Sequence, residues 1–260
     1  MQRLLNLGIL AVASLIGLGA FLYPFFVPQQ VAGLNPTAHA QDAPLVFVLL
    51  AVLCLGAVLS SLSAGFLNVK MIAILGVLTA ANAVLRGVQG PGGFSLVFLL
   101  PILCGYVFGP TFGFLLDVFS LAVSAFIGFG VGPWLPYQMF VAGWVGMLSG
   151  WLPRLENRPR AEALTLAVWG FALGLAFGVL MNVYFWPYVF TPGQSEMYWQ
   201  PGLGLMETVR RYAVFYAITS LWWDLVRAGG NFLLLLLFGV PVVRLLRRFQ
   251  QRFYFTVLPS

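Results

Sequence analysis

Apolar runs of about 20 residues, closed by Gly, Pro or a basic residue, recur along this chain, and about 20 such residues are what a helix needs to cross roughly 30 Å of hydrocarbon. Only helices or a closed barrel can carry backbone polar groups through that layer. The runs are too long and too continuous for the alternating ten-residue strands of a barrel. An all-α, polytopic transmembrane bundle follows. Of 260 residues, 61% are hydrophobic and 8% charged, with mean hydropathy +0.95, far outside the range of soluble domains.

Run lengths and helix breakers predict eight spans, at 4–27, 44–63, 69–86, 94–108, 110–128, 134–152, 163–187 and 211–240. The fourth is short and reads as a broken or tilted element. Gly109 and Pro110 alone separate it from the fifth, which predicts a tight antiparallel hairpin with Pro110 opening the second helix. With both termini in the cytoplasm, inner ends carry Arg3, Lys70, Arg154, Arg158, Arg160, Arg244, Arg247, Arg248 and Arg252, and outer loops carry Arg86, Arg210 and Arg211. That nine-to-three bias favours this orientation in a bacterial inner membrane. The outer segment 188–210, with Pro192, Gly193, Tyr198, Trp199, Pro201 and Gly202, reads as a lid or cap.

Arg3, the first apolar run and Ala38-His39-Ala40 imitate a signal peptide with its cleavage site. The run spans about 24 residues and ends some ten residues before that site, which favours a retained helix. Residues 28–43 then form an outer loop in which His39 is solvated. No cluster of His, Cys or carboxylates joins His39, so neither a metal nor a cofactor is expected. Cys54 and Cys104 sit within spans as small apolar fillers. The net charge of +6 is gathered at helix ends, where it sets orientation, and predicts no nucleic-acid partner.

Ionisable groups inside a span are expensive and so attract functional hypotheses. Ser220, Asp224, Arg227 and Asn231 recur at spacings of four, three and four on the last span, forming one polar stripe toward the bundle interior. Asp117 and Arg227 overlap in depth, which predicts a buried pair; a structural lock between the fifth and eighth spans is favoured over a coupling or gating role.

Nearer the outer face lie Arg86, Gln89, Trp134, Tyr137, Gln138, Asn182, Tyr184, Trp186, Trp199, Arg210, Arg211, Tyr212 and Tyr216. Rings with polar edges, amides and arginines are the usual makeup of a small-molecule site. The competing reading is an interfacial aromatic belt. Belt or core suits Trp186, Trp222 and Trp223, whereas Tyr137, Gln138 and Asn182 lean toward a site. On the third span, Ala73, Gly76, Ala80, Ala83 and Gly87 make one smooth face along which another helix could dock, with packing inside the chain as the alternative.

The chain has no GxxxxGK(S/T) phosphate loop, no Ser/His/Asp set and no HExxH. No catalytic residue is therefore assigned, and an enzyme is not expected.

Residues 69–243 resemble the substrate-binding S component of energy-coupling factor (ECF) vitamin transporters. The resemblance is densest over GGFSLVFLLPILCGYVFGPTFGFLLDVFSLAVSAF (92–126) and GVGPWLPYQMFVAGWVGMLSGWLP (130–153), with MNVYFWP (181–187) and TSLWWDLVRAGGN (219–231) similar to members that carry two extra amino-terminal helices. It implies a division into two amino-terminal helices (1–65), a six-helix substrate-binding core (66–243) and a basic cytoplasmic tail (244–260). It further implies capture of a vitamin or precursor from outside and delivery through a coupling subunit driven by two ATPase subunits. The family's small-x-x-x-small docking face matches Gly76, Ala80 and Ala83, with Gly76 departing from the usual alanine. The aromatic outer face favours a ring-bearing solute such as a B-vitamin, a corrinoid or a precursor. The alternatives are a stand-alone secondary transporter using Asp117 and Asp224 as proton or ion sites, a lipid-modifying membrane enzyme, or a membrane assembly protein.

Overall fold

The computed structural model describes residues 2–26, 38–63, 69–191 and 193–253. Val27 at the end of the expected first span, residues 28–37 of the expected outer loop, Pro192 of the expected lid and 254–260 of the tail lie outside the described residues.

Nine α-helices occur among the described residues: α1 (Gln2–Leu22), α2 (Ala43–Ser63), α3 (Val69–Leu85), α4 (Leu99–Phe108), α5 (Pro110–Ser124), α6 (Leu135–Ser149), α7 (Pro159–Phe185), α8 (Leu205–Thr219) and α9 (Leu221–Phe253). Among the described residues, five stretches are long and apolar enough to cross a membrane: Leu7–Phe25, Ala43–Leu62, Pro110–Phe129, Pro159–Tyr188 and Leu221–Gln251. The chain is thus a multi-pass helical membrane bundle; these five candidates do not establish the eight spans expected, and Lys70–Leu85 and Leu99–Phe108 are shorter apolar helices beside them. Prolines open α5, α7 and the first turn of α6, where their missing N–H costs nothing.

The expected continuous helix over 211–240 is two helices, because the chain breaks at Ser220. Thr219 Oγ1 donates back to the Phe215 carbonyl (2.8 Å) and Ser220 Oγ donates to Asn182 Oδ1 (2.7 Å). Such local bonds compete with the helical ladder.

Glycines set how closely the helices approach. At Gly105, Gly113 and Gly146 a Cβ would fall on the backbone of a neighbouring helix, so α4, α5 and α6 meet with their backbones in contact. Gly109, at φ +101°, makes the α4–α5 turn, a conformation an L side chain resists. Gly170, Gly174 and Gly178 form a ridge on α7 facing Leu235, Ala228 and Asp224 of α9. Close approach through small residues is how helices associate in lipid, where apolar burial supplies little net force. Leu15, Leu45, Val77, Phe126, Trp222 and Leu237 face outward, as lipid-facing positions do, and Trp186 is buried.

The amino-terminal pair packs on α6. Gly17 lies against Phe140 and Trp144, and Trp144 Nε1 donates to Ser14 Oγ (3.0 Å). At the opposite end of α6, Arg247 of α9 pairs with the buried Glu162 of α7 (2.6 Å), which also accepts from the Tyr106 hydroxyl of α4 (2.8 Å). A triad from three helices therefore closes the basic end of the bundle.

Candidate functional site

At the end away from Glu162 the helices leave a cavity of about 350 Å³. Arg86 at the foot of α3, Gln89, Gly93, Phe94 and Ser95 of the α3–α4 connection, Phe98, Leu121 of α5, Gln138 and Ala142 of α6, Phe177 of α7 and Arg227 of α9 line it. The connection is held by a Pro91–Gly93 turn and a Gln89–Ser95 bridge. Of the residues predicted for a site, Arg86, Gln89 and Gln138 come together here. Arg227, expected in a structural pair, joins them.

Arg86 Nη1 donates to Ser124 Oγ (2.7 Å) and to the Leu121 carbonyl (3.5 Å), and Nη2 donates to Gln138 Oε1 (3.1 Å). Its place just past the carboxyl end of α3 suits a cation. Arg227 Nη1 donates to Asp224 Oδ1 (2.6 Å), and its guanidinium lies 5.5 Å from the Phe177 ring centre. The cavity thus joins aromatic walls to two guanidiniums and two amides.

The expected Asp117–Arg227 pair does not form. Arg227 takes Asp224 one turn away on its own helix, where the spacing already brings the groups together. Asp117 is fully buried between α3 and α5, and neither carboxylate oxygen has a hydrogen bond from a described residue. Above it, Asn82 Nδ2 donates to Ser120 Oγ (2.8 Å). The stripe on α9 faces α7: Ser220 meets Asn182, Asp224 meets Gly178 and Asn231 Nδ2 donates to the Gly170 carbonyl (3.4 Å).

The remaining predicted site residues lie elsewhere. Tyr137 and Tyr184 surround His39, which is buried rather than solvated. His39 Nε2 donates to the Tyr184 carbonyl (3.0 Å), while Nδ1 lies 2.8 Å from Asp42 Oδ2 and 2.7 Å from the Tyr137 hydroxyl. The Tyr184 hydroxyl donates to the Ala38 carbonyl (2.9 Å). Three tyrosine rings pack within 5 Å of the imidazole centre, and their burial shields it from water. Burial pushes the Asp42 carboxyl up, but bonds from His39 and Tyr137 outweigh it and hold Asp42 below the ordinary carboxylate value.

Trp199 packs with Trp186, Met197, Tyr198 and Phe215 in a separate apolar cluster. Arg211 ties that segment down, donating to Glu207 Oε1 (2.9 Å) and to the Ser195 and Tyr198 carbonyls (2.9 and 3.3 Å). Asn182 is engaged with Ser220 and Gly178, Tyr216 stacks beside Tyr212, and Trp134 is exposed at the α5–α6 turn. The aromatic lining from Phe94, Phe98 and Phe177 had no distinctive sequence signal among 24 phenylalanines.

A second cavity, of about 370 Å³, lies between α2 and the α5–α6 turn, bounded by Phe47, Phe126, Val131 and Leu135. Its lining side chains carry no polar group, so it offers nothing to orient a polar solute.

Together, these features define a multi-pass helical membrane protein with one mixed polar and aromatic cavity of small-molecule size among the cavities described. The family model described as ECF transporter, substrate-specific component, matches residues 70–239. The chain belongs to that family, whose members are solute-binding transporter subunits, not enzymes, and associate with coupling and ATPase modules. No curated protein and no solved structure matches the chain.

Proposed function

We propose that the chain captures a vitamin or vitamin precursor outside a bacterial inner membrane and passes it to a coupling subunit driven by two separate ATPase subunits. The observation that carries this reading is the meeting of Arg86, Gln89, Gln138 and Arg227 with Phe94, Phe98 and Phe177 in one cavity. Apolar walls with a few placed polar groups hold and orient organic solutes. A volume of about 350 Å³ stands at the small end of ligand sites, which favours a one- or two-ring solute over a corrinoid.

The cavity lies opposite the end that carries Arg154, Arg158 and Arg160. A positive-inside arrangement then opens it outward and leaves both termini in the cytoplasm. Residues 1–65 act as an added pair of helices, 66–243 as the binding core and 244–260 as a basic tail, with the Trp199 segment as a cap. Ala73, Gly76 and Ala80 are exposed on one face of α3 and suit close contact with a coupling helix. Ala83, assigned to the same face from sequence, is buried inside the bundle, so the docking face ends at Ala80.

Uptake of radiolabelled solute into proteoliposomes tests the reading. Transport is expected only with coupling and ATPase subunits present and with ATP supplied. The unpartnered oxygens of Asp117 favour one competing reading, an ion-coupled carrier; uptake by the chain alone under a proton or sodium gradient would establish it instead.

A further inference from the structure

Arg86 is incompletely satisfied. A guanidinium has five N–H donors, of which three are taken, by Ser124, Leu121 and Gln138. Its Nε–H and one Nη2–H have no acceptor among the described residues. Every acceptor it does reach is uncharged, and no described carboxylate forms an ion pair with it.

The two carboxylates nearby do not fill those open donors. Asp224 is bound by Arg227 at 2.6 Å, so that pair is neutral as a unit. Asp117 acts on Arg86 through space but accepts no hydrogen bond from it. A guanidinium at the wall of a low-dielectric cavity is costly without a partner, and its planar fork matches a carboxylate.

We infer that the solute held by this cavity is a small organic monoanion, a carboxylate with an apolar or ring body, whose acidic group completes Arg86 and whose body lies against Phe94, Phe98 and Phe177. The inference rests on the capture reading above and narrows it to one charge class. Two open N–H donors on one planar guanidinium match one carboxylate. A phosphate ester, carrying about −1.5 to −2, would leave charge over. Gln89 and Ser95 on the cavity wall can take the remaining carboxylate lone pairs, which makes the acid distinguishable from an amide of the same shape.

The test uses the purified full chain in detergent, stripped of bound solute, and matched probes: nicotinate with nicotinamide, biotin with biotinamide, and 5-phenylvalerate with 5-phenylvaleramide, plus phenyl phosphate. Binding is read by tryptophan fluorescence and thermal shift, in parallel with mass spectrometry of the solute released from the unstripped chain. The inference expects an acidic released solute, acids preferred over their amides and over phenyl phosphate, and about a hundredfold weaker acid binding in Arg86→Gln. Arg86→Lys, which keeps the charge, is expected to recover part of that loss, and this separates a lost charge from a lost fold. A released solute without an acidic group, amides binding as well as acids, or acid binding undiminished in a folded Arg86→Gln overturns the inference and leaves capture standing. No released solute and no binding by any probe removes the capture reading and this inference with it.

Discussion

The Tyr137 hydroxyl of α6 donates to the Asp42 carboxylate just before α2, so the core helices and the amino-terminal pair share one buried polar joint. His39 stands between them, in contact with both. The joint lies at the same end of α6 as Gln138, whose side chain enters the cavity.

Removing either partner therefore loosens the amino-terminal helices. Tyr137→Phe and Asp42→Asn are each expected to cost about 1.5–3 kcal/mol, the range for hydrogen bonds to a charged group. The double variant should fall well short of the sum, since both lose the same bond. Thermal unfolding in detergent measures the cycle; full additivity would show the joint to be incidental.

The same joint predicts an acid limit. Bonds from His39 and Tyr137 hold Asp42 below the ordinary carboxylate value despite its burial. A carboxylate with a depressed folded-state pKa contributes stability that is full above its unfolded value and is lost as pH falls through the folded one. The wild type should thus lose this contribution below about pH 4, and Asp42→Asn should show a flatter profile there. Melting curves between pH 3 and 7 compare the two.

Glycine-to-alanine changes separate packing from docking. At Gly146 a Cβ falls on the Gly113 carbonyl, so Gly146→Ala should destabilise by about 1–3 kcal/mol or more through overpacking. At Gly76 a Cβ meets nothing within 4 Å, so Gly76→Ala should be neutral or slightly stabilising in the isolated chain. Gly76→Leu should spare solute binding and weaken co-purification with a coupling subunit. Unchanged co-purification would place the docking face elsewhere.

At the basic end, Glu162→Ala leaves the Arg247 guanidinium without its closest carboxylate and the Tyr106 hydroxyl proton with only its longer bond to the Pro153 carbonyl. Breaking a buried pair on one side costs about 3–5 kcal/mol, reduced here because Arg247 is partly exposed and Glu156 lies 3.5 Å from it. A clear fall in melting temperature is expected, with Glu162→Gln intermediate.

Much of the bundle was legible because bilayer thickness dictates helix length, and the Gly109–Pro110 hairpin was legible because those residues leave few other conformations. The α9 stripe was readable from its spacing, but its partner was not. Gly170, Gly174 and Gly178 repeat every four residues along α7, and that ridge, rather than Asp117, is what the stripe faces. The break at Ser220 depended on a bond to Asn182, 38 residues away, which no local pattern reveals. His39 looked like a loop residue because its tyrosine partners come from α6 and from the end of α7, about 100 and 145 residues on. Arg86, Gln89 and Gln138 were found as polar groups near helix ends. Phe94, Phe98 and Phe177 were not, since a phenylalanine lining a cavity and one facing lipid read alike.

The most direct test of solute capture is to purify the chain from a bacterial membrane, denature it and identify the released small molecules by mass spectrometry, beside an Arg86→Ala/Gln138→Ala variant of equal stability. One vitamin-like organic compound released near stoichiometry by the wild type and absent from the variant is the expected result. No specific compound in either preparation, or the same compound in equal amount from both, would contradict the assignment of this cavity as the capture site.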